Sequence, residues 1–166
     1  MKTVKWMATF CASVLMLLAA ASEARAEVTV ELSAQRIAAE GAGKEARIEA
    51  REAKPGEVLE YRAIYRNTGK QAVRQVQAVL PIPAGAFSYV AASARPARVY
   101  ASVDGKQFDA VPLMRTVTLP DGRREARPVP LAEYRFLRWE LSNMQPGAEA
   151  VVSARMRLLD NAGGAQ

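Results

Sequence analysis

"LEYRAIYRNTG", residues 59–69, decides how the rest of the chain is read. Leu59, Tyr61, Ala63 and Tyr65 fall on one side of an extended chain; Glu60, Arg62 and Arg66 fall on the other, with Ile64 among them. Period-two alternation of this kind describes a β-strand with one face in a core and one in water. A wet face points to antiparallel sheet, since parallel strands are covered on both sides. The same residues raise the functional question. Tyrosines and arginines side by side suit a stacking and phosphate-binding surface, or simply a strand whose charges face solvent. Because Tyr61 and Tyr65 share their face with Leu59, they are expected in the core, with Arg62 and Arg66 outward.

Turn chemistry brackets this strand. Lys54-Pro55-Gly56 precedes it, and Asn67-Thr68-Gly69 reads as a hairpin-type turn with Gly69 free to take positive φ. Upstream, Val28, Val30 and Leu32 oppose Thr29, Glu31 and Ser33, while Ala46, Ile48 and Ala50 oppose Arg47, Glu49 and Arg51. Residues 34–53 are rich in Ala, Glu and Arg, which also suit a helix. Gly41 and Gly43 interrupt that alternative, so strands are expected there. Downstream, Val73, Val76 and Val79 lead into Pro81 and Pro83, which mark a strand end or an edge. "FSYVAAS" is a short strand, and Asp104-Gly105 and Asp121-Gly122 are hairpin signals. Phe136 and Arg138 alternate with Leu137, Trp139 and Leu141, and Trp139 is expected to plug a core. Ala150, Val152, Ala154, Met156 and Leu158 share one face of a last strand. Many short strands, frequent turns and no long helix predict an all-β fold, an immunoglobulin-like antiparallel β-sandwich.

The ends read differently. Lys2 and Lys5, the apolar run at 7–21 and Ala24-Arg25-Ala26 follow the pattern of a secretory signal peptide over residues 1–26. The apolar run is shorter than the roughly 20 residues that span a bilayer, so no transmembrane span is expected after cleavage. One domain is expected over 27–159, with a disordered tail at 160–166. An exported protein follows, periplasmic first, with the cell surface or the exterior as the other destination. Cys11 is the only cysteine and leaves with the signal, so no disulfide or thiolate site is expected. Without residues 1–26 there are 20 basic and 16 acidic residues, a formal charge of +4 against +6 for the whole chain. The charges interleave, so no strong single-sign field is expected.

Residues 55–93, 101–108 and 137–158 together resemble a known family. The shared features are Pro55-Gly56 before an aromatic strand, Asn67-Thr68-Gly69, Pro81 with Gly85, the Ser-x-Asp-Gly turn at 102–105, Trp139, and Pro146-Gly147 before the last strand. In this order they are similar to the domain of unknown function eleven, a conserved-repeat, immunoglobulin-like module of bacterial envelope and surface proteins. The resemblance covers about residues 45–159, in a single copy. It implies a sandwich, an envelope location and a binding or scaffolding role.

Reaction chemistry is hard to assemble from these residue types. There is no histidine anywhere and no cysteine beyond Cys11, which excludes Ser-His-Asp and Cys-His arrangements and the commonest metal ligands. No glycine-rich phosphate loop follows a strand. Glu57, Glu60, Glu133, Glu140 and Glu149 are the carboxylates that a paired acid and base would draw on. They are expected instead in solvated cross-strand ion pairs. Asp104, Asp121 and Asp160 are too isolated to cage calcium. A non-enzyme without cofactor or metal is therefore expected. Its first expected partner is another envelope protein, docked on an unpaired strand edge, with "LPIP" (80–83) and "RPVPL" (127–131) marking or protecting such edges. The second is an envelope polyanion, lipopolysaccharide phosphate or nucleic acid, held by Arg62, Arg66, Lys70 and Arg74 together with Arg123, Arg124 and Arg127.

Overall fold

The computed structural model describes residues 28–40, 44–50 and 52–160. The segment read as a signal peptide and the tail after Asp160 lie outside the described residues. The strands are β1 (Val28–Glu40), β2 (Lys44–Glu49), β3 (Val58–Asn67), β4 (Gln77–Pro81), β5 (Phe87–Tyr89), β6 (Tyr100–Ser102), β7 (Asp109–Ala110), β8 (Met114–Thr118), β9 (Arg124–Pro128), β10 (Phe136–Glu140) and β11 (Glu149–Leu158). They form a five-stranded sheet ordered β2-β1-β3-β11-β5, a four-stranded sheet ordered β4-β10-β6-β7, and the β8-β9 hairpin. All the pairings are antiparallel. The fold is an antiparallel β-sandwich of the immunoglobulin-like class. Where residues 34–53 left a helix open, β1 and β2 are strands, because β2 forms a backbone ladder with β1 and β1 forms one with β3.

The core fills the space between the two sheets. From the larger sheet come Leu59, Ala63, Tyr65, Tyr89, Val152, Ala154 and Met156; from the smaller come Ala78, Leu80, Ala101, Leu137 and Trp139. These are the apolar positions of the alternating patterns, so the faces of β3, β10 and β11 fall as the sequence predicts. Trp139 is only 1% exposed. Its indole N–H donates to the Pro96 carbonyl at 2.9 Å, so burying the ring strands no donor. Tyr134 stacks on Tyr89 at 5.9 Å, and its hydroxyl accepts the Leu113 N–H at 2.7 Å.

Two turn readings are corrected. Asn67-Thr68-Gly69 does not close a hairpin, because β3 and β4 belong to different sheets and the connection crosses between them. Gly69 has no positive φ. The Asn67 side chain shapes the turn instead: its Oδ1 accepts the Gly69 N–H at 3.0 Å, closing the loop without a left-handed residue. Asn67 is fully buried. Its Nδ2 donates to the carbonyls of Gln71 at 2.7 Å and Met144 at 2.9 Å. Asp104-Gly105 does lie between paired strands β6 and β7, but in a loop that runs from Val103 to Phe108 rather than a two-residue turn. The Asp104 carboxylate holds that loop by accepting the N–H groups of Lys106 and Gln107 at 2.8 and 3.1 Å. Asp121-Gly122 closes the β8-β9 hairpin as expected, with Gly122 at φ 82°.

Gly105 has no room for a side chain. At φ +76° a Cβ would sit 2.9 Å from the Phe136 ring. Gly105→Ala is expected to lower stability by about 2 kcal/mol, read as a lower urea midpoint at unchanged slope.

Candidate interaction surfaces

A sandwich offers partners its edges and its outer faces, and the edges here differ in kind. At β4, the hydrogen bonds Ile82 N–H to Arg135 (2.8 Å) and Leu141 N–H to Val76 (2.8 Å) turn the even-numbered residues toward β10. Gln77, Val79 and Pro81 therefore face the outer edge. Pro81 has no donor. The Tyr65 hydroxyl accepts the Val79 N–H at 3.1 Å and donates to its carbonyl at 3.4 Å. Along Val79 and Pro81 this edge presents no free N–H to another strand. The proline in "LPIP" thus sits at a strand end and on an edge at once. The edge of β2 carries Lys44, Glu45, Arg47 and Glu49, charges that oppose pairing with another strand.

β1 is different. It pairs with β3 from Val28 to Ile37, but β2 reaches only from Glu40 back to Gln35. The Ala50 N–H to Ala34 carbonyl bond shows that even-numbered β1 residues turn their backbone toward the β2 side. Among the described residues no strand takes up the outward N–H and C=O groups of Val28, Val30 and Leu32. The side chains alternate as the sequence implies, with Val30 and Leu32 opposite Tyr65 and Ala63 on the core-facing side. Their burial does not follow. Val30 is 53% and Leu32 56% exposed, and Ile48, opposite Arg36 further along the same face, is 42% exposed. The smaller sheet ends at β4, whose edge lies over Tyr65, so the apolar face of β1 continues past it as an uncovered shelf.

The outer face of the larger sheet is charged. Arg155 donates to both oxygens of Glu45 (2.8 Å to Oε1) and lies 3.6 Å from Glu60, which also accepts from Arg47 at 2.8 Å. The hydrogen bond from Arg155 holds the Glu45 carboxyl below its ordinary pKa. Burial pushes Glu60 up, but Arg47 and Arg155 outweigh it and leave a net downward shift. Beside this network Arg62, Arg95, Val151 and Ser153, with Ala91 and Ala92, line an open concavity of about 670 Å³.

The cations singled out from the sequence fall on three elements. Arg62 and Arg66 lie on the outer face of β3, Lys70 and Arg74 in the connection after it, and Arg123, Arg124 and Arg127 on or beside β9. Arg66 pairs with Glu149, Arg123 with Asp121 and Arg127 with Glu125. Arg62 is instead grouped with Arg47, Arg95 and Arg155, which sequence reasoning missed because strand register, not chain distance, gathers them. Among the carboxylates, Glu57 pairs with Arg36, Glu60 with Arg47 and Glu133 with Arg115. Among the described residues no group of three His, Cys, Asp or Glu side chains could hold a metal ion. No helix of the described residues is long and apolar enough to cross a membrane. No family model, curated protein or solved structure matches this chain.

Proposed function

We propose that this chain is an exported, non-catalytic immunoglobulin-like module that binds another cell-envelope protein by accepting an extended segment along the outer edge of β1. One observation carries the reading: among the described residues nothing pairs with the outward backbone of Val28, Val30 and Leu32, and Val30 and Leu32 stand exposed on the adjoining face. An added strand satisfies the open N–H and C=O groups and covers the apolar side chains at alternate positions. The partner segment needs apolar residues at every second position, and a basic residue facing Glu31 complements the other side. The shelf also includes Ile48 on β2, so a partner that covers it reaches beyond the edge itself. The signal-like residues 1–26 and the resemblance to the conserved-repeat envelope family support the compartment.

The test is a photo-crosslinking amino acid at Leu32, in protein produced in its native envelope. One dominant partner peptide with alternating apolar residues is expected. Val30→Lys combined with Leu32→Lys is expected to reduce capture at least tenfold. Unfolding free energy should change by less than about 0.5 kcal/mol, since neither side chain is buried. Capture that survives the double substitution, or crosslinks only between identical chains, overturns the reading.

A further inference from the structure

Register gathers a polar cluster on the opposite face of the larger sheet, apart from the strand edge. Arg62 of β3 pairs with Ser153 of β11, and Ser153 pairs with Arg95. Arg95 and Ser153 exchange backbone hydrogen bonds of 2.7 and 2.8 Å. One transverse row therefore carries a guanidinium, a hydroxyl and a second guanidinium on the same outward face. All three line the concavity of about 670 Å³. The neighbouring Arg47, Glu60, Arg155 and Glu45 balance one another. Arg62 and Arg95 have no carboxylate partner among the described residues, so the net charge of this hollow is theirs.

Arg95 is also held in place. Its Nη1 donates to the carbonyls of Ala92 at 2.9 Å and Ala94 at 2.7 Å. Ala92 adopts φ 57°, a left-handed conformation that L-residues other than glycine seldom take. The loop that carries it is pinned to β11 by the Ser93 hydroxyl, which accepts the Arg155 N–H at 2.9 Å. Two carbonyls thus restrain one nitrogen of the Arg95 fork and leave Nε and Nη2 for a ligand.

We propose that this concavity binds a phosphate group, with Arg62 and Arg95 each donating to different oxygens and the Ser153 hydroxyl donating between them. Two strand spacings separate the arginine backbones by roughly 10 Å, a span that lets two forks approach one tetrahedral anion from opposite sides. Two uncompensated cations match a phosphate dianion, and guanidinium geometry suits its oxygens. The hollow lies in the size range that admits a sugar or glycerol unit beyond the phosphate. A soluble phosphate ester and a lipid headgroup share this chemistry.

The experiment follows backbone amide shifts of Ala92, Arg95 and Ser153 during titration with inorganic phosphate and glycerol 3-phosphate, with chloride at equal ionic strength as control. Sedimentation with vesicles of phosphatidylcholine, with and without phosphatidic acid, runs in parallel. Saturable shifts are expected with the phosphates and not with chloride. Arg62→Gln and Arg95→Gln should each weaken binding by about tenfold or more, as expected for losing a charge-assisted contact. Arg66→Gln, whose arginine is already paired with Glu149, should leave it unchanged. Phosphate binding without vesicle binding identifies a soluble ester. Vesicle binding that Arg62→Gln and Arg95→Gln abolish identifies a headgroup. Shifts that never saturate, that chloride reproduces, or that Arg66→Gln weakens as much as Arg62→Gln overturn the proposal.

Discussion

Trp139→Ala is expected to lower the unfolding free energy by about 4 kcal/mol, the range for removing a large aromatic from a packed interior. Trp139 lies in β10 among the inward residues of both sheets, and the ring is 1% exposed. Truncation leaves a cavity between two sheets that cannot close independently. It also removes the partner of the Pro96 carbonyl. A domain of this size has about 5–15 kcal/mol in all, so the variant should unfold at much lower urea. Trp139→Phe keeps most of the volume but loses the hydrogen bond, and should lose about half as much or less. Because Trp6 lies within residues 1–26, Trp139 is the only tryptophan of the remaining chain. Its emission should therefore be blue-shifted in the folded state and shift red in one cooperative step. Far-ultraviolet circular dichroism follows the alanine variant, which lacks the fluorophore. A loss below about 1 kcal/mol in Trp139→Ala contradicts the packing described, because a buried ring of that size cannot leave at so small a cost.

Asn67→Leu is the second large effect, about 3 kcal/mol. Leucine has nearly the size of asparagine but none of its donors or acceptors. The substitution removes the side-chain hydrogen bonds to the carbonyls of Gln71 and Met144 and from the N–H of Gly69, while the Met144 carbonyl keeps the Val73 N–H at 2.9 Å. Three lost hydrogen bonds at about 1 kcal/mol each give this figure. Asn67→Asp gives a sharper test through its pH dependence. The introduced carboxyl keeps an acceptor for Gly69 but sets an oxygen against two carbonyls, which favours its protonated form. Its folded pKa is thus raised above the unfolded value of about 3.9. A raised pKa contributes stability that is present below the unfolded value and lost as pH rises through the folded one. Asn67→Asp should therefore lie closest to the native protein in acid and fall away toward neutral pH, while Asn67→Leu shows no such trend. Two variants with parallel pH profiles contradict the role assigned to Nδ2.

Much of the sandwich is visible in short stretches. The faces of β3 and β11 follow from alternation alone, and Pro55-Gly56 and Asp121-Gly122 turn where their backbone preferences require. The failures share one cause. Alternation says which side of a strand is apolar, not whether another layer reaches it. Val30 and Leu32 read like Ala63 and Tyr65, yet the smaller sheet stops short of them. Asn67 reads as a turn residue because its buried role depends on Met144, far along the chain. Arg95 looks like an ordinary loop cation until the Ser153 pairing is known. Register and layer width are non-local, so the structural parts of the opening stretch were legible and the surfaces around it were not.

The Tyr65 hydroxyl on Val79 has a consequence for valency. A sandwich in which two of its four edges accept strands is a bifunctional unit, and bifunctional units propagate into fibres. Here the centre of the β4 edge is capped from within at Val79, which opposes its use as the next acceptor if β1 is occupied as proposed. In the proposed mode, growth by pairing one molecule's β1 with the next molecule's β4 therefore stops after a single step.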